Sequence, residues 1–236
     1  MSETSTLKLP LVQPAQSQKH VTVNEAFLIL DALTAISLIE PARTAVPASP
    51  LEGDLYGVGV GASGEWLGQD TKLALFANGG WIFVPPKFGW RAWLQNLGTE
   101  ATFDGEGWIP GAGAMSENGA AFSHRSLEVD HAVSVGSTSV VSAFIPANSI
   151  VYGVTGRVLT DVGGASSFQL GVSGSTDRYG SGIGLTNGSW LRGITSSPVT
   201  YYSDTDLLLT AENGSFDGTG SVRLAVHFAE LSLPRV

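Results

Sequence analysis

Ser221-Val-Arg-Leu-Ala-Val-His-Phe-Ala-Glu-Leu231 alternates with a period of two. Val222, Leu224, Val226 and Phe228 share one face, and Arg223, Ala225 and His227 take the other. Successive side chains of an extended chain point to opposite sides, so this is a strand with one buried and one solvated face. Upstream, His131–Val135, Val140–Ile145, Ile150–Thr160, Ser167–Val172, Ser189–Ile194, Val199–Tyr202 and Leu207–Ala211 also read as strands, which brings the number to eight. Turn residues divide them: Pro146-Ala-Asn148, Gly163-Gly164, Gly174–Asp177, Asn187-Gly188, Asn213-Gly214 and Asp217-Gly218. Short antiparallel strands at this spacing predict that residues 131–236 form a two-sheet β-sandwich of jelly-roll type.

Residues 41–109 read as a smaller β-domain. Leu51–Val60, Thr71–Ala77, Trp81–Pro85, Arg91–Leu94 and Glu100–Phe103 are candidate strands, with a hairpin signal at Asn78-Gly79-Gly80 and another at Asp104–Trp108. Five of the six tryptophans fall in this region, and Trp66, Trp81, Trp90 and Trp108 each follow a glycine directly or one residue removed. An indole packed over a glycine turn builds core or rim; a sugar-stacking role for one of them is the competing reading. Residues 110–130 are small and Gly/Ala-rich, carry neither period, and are expected to be a linker.

The front of the chain differs. Pro10 and Pro14 favour an extended arm over residues 1–21, in which Gln13, Gln16 and Gln18 offer hydrogen bonds to a docking partner. Thr22-Val-Asn-Glu25 fits a capping box that opens a helix over residues 22–40, stopped by Pro41. Ala26, Ile29, Leu30, Leu33 and Ile36 form its apolar stripe, while Phe27, Leu28, Leu38 and Ile39 lie off it. The helix either packs on its own β-domain or lies at an oligomer axis against copies of itself; apolar faces on more than one side favour the second. The fold class is therefore mainly β, with an N-terminal arm and a single α-helix.

Composition excludes several functions. The 236 residues hold 12 basic and 21 acidic side chains, a net charge of −9, so nucleic acid and anionic membrane surfaces are not expected partners. With no cysteine there are no disulfides and no thiolate metal sites. No signal peptide is read in MSETSTLKLP, and no apolar run is long enough to span a bilayer. His20, His124, His131 and His227 lack metal-binding spacing, and neither a nucleophile elbow nor a phosphate loop with its lysine is present. The chain is read as a non-enzyme without cofactor or metal. A carboxylate pair for glycoside hydrolysis and a calcium site at Asp204 and Asp206 stay open as lesser alternatives.

The strongest candidate site is polar and aromatic: Asp177, Arg178 and Tyr179 in a Gly/Ser segment, Trp190 and Arg192 on the next strand, and Tyr202 beyond. Flat aromatic faces with guanidinium and carboxylate groups suit carbohydrate binding. The same residues also suit a buried Tyr/Trp cluster with an Asp–Arg pair stabilising a loop. Tyr201 and Tyr202 must point to opposite faces of a strand, so at most one joins a site.

LKLPLVQPAQSQKHVTVNEAFLILDAL (Leu7–Leu33), followed by Pro47-Ala-Ser-Pro-Leu-Glu-Gly-Asp54, Gly64-Glu-Trp-Leu-Gly68 and Gly79-Gly-Trp-Ile-Phe83, resembles an uncharacterised family of phage-type structural proteins of alphaproteobacterial prophages, phages and gene transfer agents. The likeness spans residues 7–110; the C-terminal part, with Asp177–Gly182 and Ser197–Tyr202, looks like the β-sandwich that often accompanies it. What the resemblance implies is a head-spike or tail-fibre component: a homo-oligomer, most simply a trimer, attached to capsid-vertex or tail proteins by its N-terminus. It implies a virion-surface location after synthesis in the bacterial cytoplasm and release by lysis, with adhesion to host surface polysaccharide. A capsule depolymerase and a ligand-free structural adaptor are the alternatives. The family supplies no catalytic residues.

Overall fold

The computed structural model describes residues 19–235, which divide into two compact units, residues 19–121 with 234–235, and residues 122–233. Gln13, Gln16 and Gln18 of the proposed docking arm lie outside the described residues.

The first unit opens with helix α1 (Lys19–Thr34). It begins before Thr22 and ends before Glu40, which corrects the predicted boundaries of 22–40. Thr22 already has helical backbone and so cannot cap, because an N-cap residue is non-helical. At the other end the Thr34 hydroxyl donates to the Leu30 carbonyl at 2.8 Å. The chain then becomes strand β1 (Ser37–Leu38), because Trp93 N–H donates to the Ile36 carbonyl and Gln95 N–H to that of Leu38, 2.8 Å each. Parallel pairing with a neighbouring strand thus outcompetes continuation of the helix through β-branched Ile36 and Ile39. Ile36 consequently belongs to the loop after α1, not to a helical stripe.

Beyond β1 come β2 (Leu55–Gly57), a 3₁₀ turn at Gly64–Trp66, β3 (Leu73–Ala77), β4 (Gly80–Val84), β5 (Arg91–Leu94), β6 (Thr99–Phe103), β7 (Trp108–Pro110) and β8 (Ala112–Met115). Strands β1 to β7 build two small sheets, β2-β3-β4 and β1-β5-β6-β7, to neither of which β8 belongs. Asn78 and Gly79 both have positive φ, +54° and +75°, as the two-residue turn between β3 and β4 requires. Leu28, Ala32, Leu33 and Ile36 pack on a core that includes Leu38, Leu55, Leu73, Leu94 and Trp108. Trp66 is fully buried in a second cluster, its ring edge-on to Trp81 at 5.0 Å and tilted against Tyr56 at 5.8 Å. The Gly–Trp turns therefore make core at Trp66 and Trp108 and rim at Trp81 and Trp90.

The second unit has β9 (Ala121–Ala132), β10 (Thr138–Ile145), β11 (Ser149–Thr160), β12 (Ser167–Val172), β13 (Ser175–Ile183), β14 (Trp190–Tyr201), β15 (Thr205–Glu212) and β16 (Ser221–Leu231). The pairing is a long antiparallel hairpin folded over on itself: first strand with last, second with seventh, third with sixth, fourth with fifth. Further pairing of β11 with β16 and of β12 with β15 closes two sheets, β14-β11-β16-β9 and β10-β15-β12-β13. That is the strand order of a jelly roll. Val151, Val154, Leu224, Val226 and Phe228 of one sheet share a single core with Phe168, Leu170, Leu207 and Leu209 of the other.

Three sequence expectations change here. Residues 110–130 are not a linker: they hold β8 and most of β9, a strand of 12 residues. The predicted strands 189–194 and 199–202 are one strand, β14, and the Gly/Ser segment 175–183 is itself the strand β13. Gly193 lets β14 pass β13, since a Cβ there would sit 2.1 Å from the Tyr179 carbonyl oxygen.

Candidate binding groove

The sheet β14-β11-β16-β9 buries one face and leaves the other to solvent. Strand register sets which outer residues stand side by side. Trp190 faces Arg157, Arg157 faces Arg223, and Arg223 faces Asp130. One step along the same face, Arg192 faces Thr155, Thr155 faces Ala225, and Ala225 faces Glu128. Thr155 and Ala225 are short, so the second row sinks between the long side chains around it. The result is a groove of about 470 Å³ lined by Trp190, Arg192, Arg157, Thr155, Arg223 and Glu128 among others.

The charges in this groove are unequally committed. Arg223 grips Asp130 with both arms of its fork, Nε to Oδ1 at 2.6 Å and Nη2 to Oδ2 at 2.7 Å, and lies 3.5 Å from Glu128. Hydrogen bonding from Arg223 holds the Asp130 carboxyl below its usual range, and the same bond raises Arg223 further above its own. Arg157 only reaches the Gly188 carbonyl at 3.5 Å. Among the described residues the Arg192 guanidinium has no ion pair or hydrogen bond. Below the groove His227 is hydrogen-bonded through Nδ1 to Ser126 Oγ and through Nε2 to Thr155 Oγ1, 2.9 Å each, which fixes the Thr155 hydroxyl.

The residues expected to bind carbohydrate are divided by the fold. Trp190, 65% exposed, and Arg192 stand in the groove. Asp177 and Arg178 belong to β13, in the opposite sheet, and are exposed there. Tyr179 is a correction: at 3% exposure it is core, its hydroxyl hydrogen-bonded to that of Tyr201 at 2.8 Å. Burial and then the Tyr201 bond push its phenol well above the usual range. Tyr202 points outward just past β14, 82% exposed, and does not line the groove. Sequence reasoning passed over Thr155, Arg157, Arg223 and Glu128. An outward position is legible for Arg223, between inward-facing Val222 and Leu224, and for Thr155 and Arg157, which flank Gly156 between inward-facing Val154 and Val158; their meeting in one groove is not.

The acidic alternatives find other employment. Asp204 Oδ1 accepts from Ala147 N–H in the turn after β10 at 2.9 Å, and Asp206 Oδ1 from Ala143 N–H at the irregularity within β10 at 2.7 Å, so both pin backbone. Among the described residues no group of three or more His, Asp or Glu side chains is placed to hold a metal, and no helix is long and apolar enough to cross a membrane.

Residues 23–109 match a family model described as protein of unknown function (DUF2793). That match covers well under half of the chain and lies within the span of the resemblance noted above. No curated protein matches. Among solved structures, the cyanophage Pam1 capsid asymmetric unit is similar at 20% identity, over 50% of this chain and 91% of that one, with a TM-score of 0.35. A likeness at that score carries no functional argument.

Proposed function

We propose that this chain is a structural spike or fibre component of a phage or phage-like particle, attached through its N-terminal segment, whose jelly-roll unit adheres to host surface polysaccharide. The observation that carries adhesion is Trp190. A large indole left exposed on a sheet face, beside Arg192 and Thr155 in a groove, is a stacking platform with polar groups at its rim. The virion role is supported by the sequence resemblance over residues 7–110.

Assembly is part of the same reading. Leu28, Ala32 and Leu33 of α1 pack on the first unit, while Val23, Ala26 and Leu30 on another side are exposed, Leu30 by 54%. Ile29 is half-buried. Of the proposed stripe, Leu33 and Ile36 are therefore held by the chain's own core, and Ala26 and Leu30 are available to copies of the chain. The assembly proposed is a homotrimer.

The test is binding of the full chain to surface polysaccharide isolated from the encoding strain, measured by calorimetry. Binding that falls at least about tenfold in Trp190→Ala supports the reading. Absence of binding favours a ligand-free adaptor, and release of new reducing ends favours a depolymerase.

A further inference from the structure

We propose that the groove on β14-β11-β16-β9 takes an acidic saccharide, its anionic group held by Arg157 and Arg192 and its ring laid against Trp190. This rests on the polysaccharide reading above and specifies the class of sugar.

The argument begins with where positive charge is placed. The second unit contains no lysine and only five arginines, in a chain of net charge −9. Three of the five, Arg157, Arg192 and Arg223, line this one groove. Of the others, Arg125 is paired with Glu230 at 3.0 Å, and Arg178 is on the opposite sheet. Concentrating scarce cations on one patch of an acidic surface makes a local attraction for anions.

Commitment separates the three. Arg223 is neutralised by Asp130 and Glu128 and works as a wall. Arg157, which gives one long hydrogen bond to the Gly188 carbonyl, and Arg192 have no carboxylate partner among the described residues, and they are diagonal neighbours: Arg157 faces Trp190, and Arg192 is two residues further along β14. Diagonal positions on one sheet face stand about 7–8 Å apart, within reach of two long side chains closing on a single carboxylate or sulfate. A planar guanidinium matches such a group with two parallel hydrogen bonds, which a lysine cannot do. Trp190 lies at the same corner, so a sugar ring anchored by its acidic group meets the indole face. Thr155, oriented by His227, offers a hydroxyl on the floor.

A neutral glycan can accept hydrogen bonds from a guanidinium but brings no charge to balance two of them, whereas a carboxylate or sulfate does. A nucleic acid strand would ask for a track of cations and several stacked aromatics, whereas this groove has two free cations and one indole.

The experiment is an array of matched oligosaccharides, hexuronate- and sialate-containing glycans beside their carboxyl-reduced counterparts, with single-stranded DNA as a further polyanion. It is probed with the full chain and with Arg157→Gln, Arg192→Gln, Trp190→Ala and, as a control on the opposite sheet, Arg178→Gln. Expected is binding confined to acidic glycans, weakened about ten- to a hundredfold by each groove arginine substitution, unaffected by Arg178→Gln, and falling with salt. Unfolding curves identify any variant that fails to fold, and because all four side chains are exposed none is expected to. Equal binding of acidic and reduced partners overturns the acidic class while leaving adhesion standing. Binding untouched by the groove variants overturns the site. Binding to DNA in place of glycans overturns the ligand class, and binding to nothing overturns the adhesion reading together with this one.

Discussion

Arg157 stands directly across the β11–β14 ladder from Trp190, and across the next ladder from Arg223. One cross-strand row thus sets an indole, a free cation and a neutralised cation side by side. Trp190→Ala is therefore expected to leave the unfolding midpoint almost unchanged, within about 0.5 kcal/mol, while removing glycan binding. Parallel thermal unfolding and binding measurements on the same variant check it. A large loss of stability would mean that the indole is structural.

Gly193→Ala tests the packing that brings β13 against β14. The new Cβ would meet the Tyr179 carbonyl oxygen at 2.1 Å, so backbone must move, at a cost of about 1–3 kcal/mol or more. Gly80→Ala, where nothing lies within 4 Å and φ is not positive, is the matched control and is expected to be nearly neutral. Denaturant unfolding of both variants makes the comparison.

Near the C-terminus Arg235 is tied to the first unit. Its Nη1 lies 2.6 Å from Asp104 Oδ2, its Nη2 donates to the Asp104 carbonyl at 2.7 Å, and its backbone N–H donates to the Asn118 carbonyl at 2.7 Å. Arg235→Ala is expected to destabilise this unit by about 1–3 kcal/mol, since the carboxylate of buried Asp104 loses its cation. Differential scanning calorimetry should show that loss.

Acid should weaken the second unit in two stages. Burial lowers His131 below its ordinary value of 6.5, so the unfolded chain takes up the proton more readily and stability falls as pH drops through and below 6.5. Glu212, lowered by the Ser167 hydroxyl and then by Gly182 N–H and Gln169, contributes stability above its ordinary 4.5 that is lost as pH falls through its folded value. Asp217, lowered by Thr219, acts in the same low window. Unfolding midpoints from pH 8 to pH 3 should therefore decline twice, and His131→Gln should abolish only the upper decline.

Leu30→Glu is expected to reduce assembly without unfolding the chain, because Leu30 is exposed on the side of α1 away from the first unit's core. Light scattering at micromolar concentration reads the mass. A wild-type monomer would contradict the oligomeric reading.

Much of the jelly roll could be read from the sequence because its inner strands alternate. Val222, Leu224, Val226 and Phe228 announce β16, and the turn glycines divide its neighbours. β13 escapes a sequence reading because Ser175–Ile183 turns only Tyr179 and Ile183 inward among glycines and exposed polar residues, leaving almost no hydrophobic pattern. Thr195–Pro198 makes β14 read as two strands; as an edge strand it tolerates the proline that would break an inner one. Residues 121–130 hid a strand behind charged outward positions. The helix ended early because β1 pairing lies in tertiary structure, which a local period does not register. Two of the six groove residues named above, Trp190 and Arg192, are legible in the sequence. Arg157, Arg223 and Glu128 join them only through register between strands more than 30 residues apart, which no local pattern encodes.

The most direct test of adhesion uses fluorine NMR of the chain labelled with 5-fluorotryptophan. Six resonances arise from the six tryptophans, and Trp190→Phe identifies one of them. On titration with surface polysaccharide from the encoding strain, the Trp190 resonance should shift while those of buried Trp66 and Trp108 stay in place. A Trp190 resonance that does not move while the polysaccharide binds, or a titration that moves none of the six, would contradict the account.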